Sequence, residues 1–178
     1  AGVGTLTILG GSGETIGLDG TTANTTASTV STICNGTACG LTLVQSELSD
    51  ISAAKLVIGD SSSGKMYIDG VTLSHISGGV TLNSSGSSGS VEFGTGGATI
   101  KLATINAGNG ITINGDVSAQ SAIFNADYDA NGTGTFTIAS GYDITSTDNQ
   151  SINITTNDID IYNLGAINSG TGSTTIAV

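Results

Sequence analysis

Short runs of alternating apolar and polar residues recur along most of the chain. Leu6-Thr7-Ile8, Leu56-Val57-Ile58, Met66-Tyr67-Ile68, Val80-Thr81-Leu82 and Val91-Glu92-Phe93 come first. Ile111-Thr112-Ile113, Ala122-Ile123-Phe124, Phe136-Thr137-Ile138, Ile152-Asn153-Ile154 and Ile159-Asp160-Ile161 follow. A two-residue period puts the flanking aliphatics on one side of a strand and the central residue, mostly Thr, Asn, Asp or Tyr, on the other. Each run therefore predicts a short strand with one buried face. Turn chemistry separates them: Asn109-Gly110, Asn114-Gly115, Asn131-Gly132, Asp19-Gly20, Asp69-Gly70 and many Gly-Ser pairs. One segment breaks the pattern. Val44, Leu48 and Ile51 fall at helical spacing, which predicts a short helical turn near 44–51 leading into the strand Lys55–Ile58. Such a turn is too short to persist without tertiary support.

The spacing of the runs, typically about 7–14 residues, allows two all-β architectures. Antiparallel hairpins would build a sandwich or barrel. A parallel β-helix (β-solenoid) would instead stack coils of about 16–24 residues. Very short strands, few aromatics and small polar residues at the corners favour the solenoid, whose narrow interior is filled by like aliphatics. The lack of Pro agrees, because a continuous ladder uses nearly every backbone N–H. About eight coils at about 4.8 Å each would make a rod roughly 40 Å long. The whole of 1–178 reads as a single solenoid module with a loop insertion at about 20–40. Neither end carries an evident cap, so neighbours of the same kind are expected there. Gly2-Val3-Gly4-Thr5-Leu6-Thr7-Ile8 is echoed by Gly170-Thr171-Gly172-Ser173-Thr174-Thr175-Ile176, about 168 residues later, as in one unit of a longer tandem array. Gly132-Thr133-Gly134-Thr135-Phe136-Thr137-Ile138 is a third similar string.

Composition narrows the classes. The 178 residues include 28 Gly and no Pro or Trp, with no Gly at every third place, which excludes collagen. No apolar run is long enough to cross a bilayer as a helix, and the recurring Ile, Val and Leu argue against disorder. The net charge is −11, and Lys55, Lys65 and Lys101 are the only basic side chains of the Lys/Arg type. Three dispersed lysines cannot neutralise a run of phosphates, so nucleic acid is excluded as a partner. Anionic membrane surfaces would repel the chain. The sequence opens on Ala, and any signal peptide is expected to have been removed.

Candidate chemistry is sparse. Cys34 and Cys39 flank Asn35-Gly36-Thr37-Ala38, a spacing that suits a disulfide closing a tight loop in an oxidising compartment; two free thiols are the alternative. Asp127, Asp129 and Asn131, at alternate positions before Gly132, reproduce the first half of a calcium loop, in which alternate oxygens converge on a hard cation. Ile138 stands where a bidentate Glu would complete it, and a polar loop between strands is the competing reading. No other cofactor is expected. General acid–base catalysis needs converging carboxylates, usually with Arg, Lys or aromatic platforms for a sugar. Asp60, Asp69 and Asp116 each lie beside Gly or Ser in turns, and His75 stands alone, so no enzyme is expected. Asn-x-Ser/Thr occurs at Asn24, Asn35, Asn83, Asn131, Asn149 and Asn153, mostly as a consequence of composition.

Glu14-Thr15-Ile16-Gly17-Leu18, with the stretch Ser46-Glu47-Leu48-Ser49-Asp50-Ile51-Ser52-Ala53-Ala54-Lys55-Leu56-Val57-Ile58-Gly59-Asp60, resembles repeats of filamentous-haemagglutinin-type bacterial surface proteins. Thr104-Ile105-Asn106-Ala107-Gly108-Asn109-Gly110-Ile111-Thr112-Ile113-Asn114-Gly115-Asp116-Val117 is similar to their recurring coil. The resemblance touches about half of the chain. It implies a right-handed parallel β-helix, secretion to the bacterial cell surface, and service as a filament or adhesin shaft. The expected partners are identical or similar modules stacked end to end, with host or neighbouring-cell surface glycans as a further class. A carbohydrate- or receptor-binding adhesin domain is the alternative function, its tip formed by the Cys34–Cys39 loop or by 125–132. Ice binding ranks third, because Thr5/Thr7, Thr135/Thr137 and Thr174/Thr175 are scattered along the chain.

Overall fold

The computed structural model describes residues 4–20, 34 and 39–178, which form an all-β structure with one short helix. The first strands are β1 (Thr5–Ile8), β2 (Ile16–Asp19) and β3 (Leu41–Val44), followed by the helix α1 (Gln45–Asp50). Next come β4 (Lys55–Asp60), β5 (Met66–Asp69), β6 (Val71–Leu73), β7 (Val80–Ser84), β8 (Val91–Phe93) and β9 (Ala98–Ala107). Then follow β10 (Ile111–Ile113), β11 (Val117–Asn125), β12 (Thr135–Ile138) and β13 (Asp143–Ser146). The chain finishes with β14 (Ile152–Thr155), β15 (Asp158–Ile161), β16 (Ala166–Asn168) and β17 (Thr174–Ala177). Each alternating run predicts one of these strands correctly. Most of the 20–40 insertion lies outside the described residues.

All pairings among the described strands are parallel, so the hairpin alternative is excluded. Strands that follow each other in sequence mostly lie in different ladders. A first ladder runs β1, β4, β7, the second part of β9, the second part of β11, β14 and β17. A second runs β3, β2, β5, β8, β10, β12 and β15. A third joins β6, the first parts of β9 and β11, β13 and β16. The two long strands β9 and β11 thus each serve two ladders. The first and second ladders each hold seven described strands, one fewer than the predicted eight coils.

Register makes the core. In the first ladder Ile8, Ile58, Leu82, Ile105, Phe124, Ile154 and Ile176 are successive partners. In the second, Leu43, Leu18, Ile68, Phe93, Ile113, Ile138 and Ile161 align in the same way. Ile58, Leu82, Ile105, Ile68, Phe93 and Ile113 are wholly buried. Phe124 of the first ladder meets Phe136 of the second edge-on, with ring centroids 5.3 Å apart, so aliphatic columns of different ladders share one interior. A one-residue slip would turn every column outward, which is why the alternating pattern specifies register so strongly.

Polar residues form a column too. Asn106 Nδ2 donates to Asn83 Oδ1 (3.1 Å), and Asn125 Nδ2 donates to Asn106 Oδ1 (2.6 Å). These are register partners in the first ladder. The column stops at Gly59, the partner of Asn83, where φ is +78° and an added Cβ would collide with the Asn83 carbonyl oxygen.

Helix α1 does more than lead into β4. Leu48 is fully buried, and Val44 N–H donates to Glu47 Oε2 (3.0 Å), closing the first turn. The Gln45 side-chain amide donates through Nε2 to the Thr72 carbonyl (3.0 Å), and its Oε1 accepts from Thr72 N–H (2.7 Å). It thereby takes the place of a neighbouring strand at β6, the edge of the third ladder. The N-terminal end is therefore partly closed, contrary to the expectation that both ends are uncapped.

Candidate functional site

The Cys34 and Cys39 sulfurs are bonded, with Cα atoms 5.3 Å apart. Cys34 is buried, and the four residues between the two lie outside the described residues. The disulfide expectation holds, and the free-thiol alternative falls.

Asp127, Asp129 and Asn131 stand together in the turn between β11 and β12. The turn is closed by its own side chains. Asp127 Oδ1 accepts from Asn131 N–H (3.1 Å) and Oδ2 from Gly132 N–H (3.0 Å). Asn131 Nδ2 donates to Asp129 Oδ2 (2.8 Å), while Asn131 Oδ1 accepts from both the backbone and the hydroxyl of Thr133. Ala130 takes a left-handed φ of +52° to make the bend. The three side chains that would offer oxygens to calcium are the ones that bond the loop to itself, with Asp129 exposed.

The remaining carboxylates follow turn chemistry. Asp60 Oδ1 accepts from the Ser62 hydroxyl (2.7 Å), Ser62 N–H (2.8 Å) and the Ser63 hydroxyl (3.3 Å), and these bonds, Ser62's foremost, hold its carboxyl below the usual aspartate range. Asp69 Oδ1 accepts from Gly96 N–H (2.6 Å), and Asp116 Oδ1 from Asp143 N–H (2.9 Å). Each ties one turn to the next turn of its stack. His75 is exposed in the turn between β6 and β7. Among the described residues no group of three His, Cys, Asp or Glu side chains could hold a metal. Of the glycosylation-type asparagines, Asn24 and Asn35 lie outside the described residues. Asn83 is held in the asparagine column, and Asn131 and Asn149 are exposed in turns.

Three surface features escape a reading of the sequence. The first is an ionic cluster on the outer face of the second ladder. Lys65 Nζ lies 2.5 Å from Glu92 Oε2 and 4.6 Å from the Tyr67 ring centre, and Asn114 Nδ2 donates to Glu92 Oε1 (3.1 Å). Partial burial works against the Lys65 ammonium. The hydrogen bond and charge of Glu92 outweigh it and hold the group above the ordinary lysine value. The second is a polar column one residue wide: Thr72, Thr99, Ser118, Thr145 and Asn168 are successive partners on the outer face of the third ladder. The third is a shallow recess of about 240 Å³ on the outer face of the first ladder, where Leu102 and Ile123 stay exposed beside Lys55, Thr81 and Thr104.

Comparison of the chain with protein-family models, with curated proteins and with solved structures finds no match. No described helix is long and apolar enough to cross a membrane. Function therefore has to be argued from the ladders, their outer faces and their ends.

Proposed function

We propose that the three ladders are successive faces of a right-handed parallel β-helix, and that the chain is a rod module of a secreted bacterial surface filament or adhesin. The observation that carries this reading is the register. Every pairing among the described strands is parallel, and the same aliphatic columns recur from one strand to the next along each ladder. Parallel strands need long connections, and visiting the ladders in turn supplies them. Right-handed passage is the hand that parallel crossovers strongly prefer. Such a structure spreads its hydrogen bonds evenly along one axis and suits a load-bearing shaft. The disulfide agrees with an oxidising location outside the cytoplasm. Kinship with filamentous-haemagglutinin-type proteins belongs to the same proposal.

The test is small-angle scattering from dilute protein. A prolate particle with a cross-section constant along its length is expected, and a sphere of the same mass would sink the rod.

The Leu102–Ile123 recess favours a second reading, an adhesin that docks a glycan or receptor on the side of the rod. Apolar side chains beside hydroxyls suit the faces and edges of a sugar ring. Glycan-array binding that is lost in Ile123→Asp would establish it, and an array without signal would remove it.

A further inference from the structure

We propose that the recess beside Leu102 and Ile123 binds a carboxylated sugar, one uronate ring of an acidic polysaccharide, with the Lys55 ammonium taking its carboxylate. The proposal rests on the second reading above, a glycan docked on this recess, and does not need the rod.

The recess belongs to the body of the first ladder. It crosses β4, β7, β9 and β11, and each of these strands is flanked on both sides by a described strand of that ladder. Register sets its walls. Leu56, Val80, Ala103 and Ala122 are successive partners and are buried. One position earlier, Lys55, Gly79, Leu102 and Ser121 therefore form a row on the outer face. Thr81, Thr104 and Ile123 form the next outward row, two positions further along their strands. With strands about 4.8 Å apart, Lys55 and Leu102 stand about 10 Å from each other, and Gly79 lies between them.

The backbone keeps this gap bare. Gly79 has a φ of +99°, and a Cβ there would lie 3.0 Å from the Leu102 carbonyl oxygen and 3.1 Å from the Leu102 Cβ. A Cβ on Gly78 would come within 2.6 Å of the Ala54 carbonyl oxygen. The recess is thus built into the strand packing and is not a chance space between long side chains.

Charge sets the sign of the ligand. The chain has fourteen acidic residues and three lysines, yet no residue lining the recess is acidic and one lysine stands in it. Lys65 is engaged by Glu92, whereas Lys55 is exposed and forms no ion pair among the described residues. On a molecule of net charge −11 an anion finds few other places to bind.

Shape sets the class. A volume of about 240 Å³ is below the range of about 300–1,000 Å³ of sites for drug-sized ligands and suits a single ring. Leu102 and Ile123, 36% and 42% exposed, offer an apolar surface to the C–H face of a pyranose. The hydroxyls of Thr81, Thr104 and Ser121 stand beside them for the ring hydroxyls. An extended peptide docks most readily by adding a strand to a free edge, and the strands under the recess have none.

The experiment titrates the full chain with trimers of galacturonate, glucuronate and mannuronate, each beside its methyl ester, which keeps the rings and removes the charge. At least one acid is expected to bind about three- to tenfold more tightly than its ester, with the difference shrinking as salt rises. Lys55→Gln should make acid and ester equal, and Lys55→Arg should keep the preference. Ile123→Ser should weaken both forms alike. Unchanged melting of the Lys55 variants, expected for an exposed residue, shows that the fold is intact. Equal binding of acid and ester, or a preference that survives Lys55→Gln, overturns the uronate and leaves a docked neutral sugar. Competition by polyglutamate as strong as by the uronates also overturns it, because charge alone would then be read. If no trimer binds but neutral glycans on an array do, the uronate falls and the docking reading stands. Silence from both removes both.

Discussion

At the N-terminal end the Gln45 amide occupies both backbone groups of Thr72, and Leu48 is buried beneath a helical turn. At the C-terminal end β15, β16 and β17 each keep a single described strand partner, and Tyr162, Leu164 and Val178 are exposed at 55%, 78% and 80%. The interior is alike throughout, yet the ends are treated differently. An edge strand's spare N–H and C=O groups can be satisfied by a side chain that imitates a strand or by another strand. The first solution closes one ladder for good. The second is the one used between neighbouring strands along each ladder.

Substitutions can break or sharpen this contrast. The largest effect belongs to the middle of the stack. Phe124→Ala, which removes a fully buried ring in contact with Phe136, should cost about 3–5 kcal/mol in denaturant unfolding. Its column mate at the open end, Ile176→Ala, should cost about 1 kcal/mol or less in the monomer, since the residue is 44% exposed. Equal losses would mean that the open end is covered in solution. Between the two ends, Leu48→Ala should cost about 2–4 kcal/mol, and Leu164→Ala should fall within about 0.5 kcal/mol of wild type.

A smaller effect isolates the strand-imitating amide. Gln45→Ala removes both bonds to Thr72 and a third to the Ser49 hydroxyl, and should cost about 1–2 kcal/mol. Amide exchange at Thr72 should accelerate, while exchange in β17 stays as it was. Gln45→Glu can still accept from Thr72 N–H but cannot donate, so it should recover only part of the loss. If Thr72 exchange is unchanged in both variants, the cap is not what ends the third ladder.

The smallest effect concerns charge. Glu92→Gln should cost well under about 1 kcal/mol, because the Lys65–Glu92 pair is partly exposed. Its pH signature is more informative than its size. Lys65 titrates above the ordinary value of 10.5 in the folded protein, so its contribution is complete below 10.5 and is lost as pH rises through the folded value. The alkaline loss of stability should shrink in Glu92→Gln, and an unchanged alkaline profile would dismiss the pair as a contributor. Asp60 shifts the other way. Its lowered carboxyl contributes above the ordinary value of 3.8, and that contribution is lost as pH falls through the folded value.

Strand positions were legible because a half-buried strand writes its burial into the sequence as a period of two, and Met66, Ile68, Ile111 and Ile113 are buried as the pattern requires. Segments such as β6 and β16 were missed. Only Gly70 separates β6 from β5, so its alternation reads as a continuation of the run before it, and β16 is exposed at Ala166 and Asn168. The helical turn was legible from Val44, Leu48 and Ile51, but its task was not. Gln45 is an ordinary polar residue until the fold brings Thr72 to it from 27 positions away. The same distance separates Lys65 from Glu92, which left their pairing invisible. The asparagine column was hidden for a related reason, since Asn83, Asn106 and Asn125 share no regular spacing and are aligned only by register.

By itself the sequence determined which faces of the strands are buried, where the chain turns, how strongly acidic the surface is and that two cysteines lie close enough to bond. These are properties of a few neighbouring residues and of their total charge. Tertiary structure alone decided that the described strands pair in parallel, that β3 steps back outside β2, and that α1 closes one ladder. Those outcomes depend on which distant segments exchange backbone hydrogen bonds. Every backbone carries the same donor and acceptor, so the choice of partner is made by packing of the columns and not by any local signal.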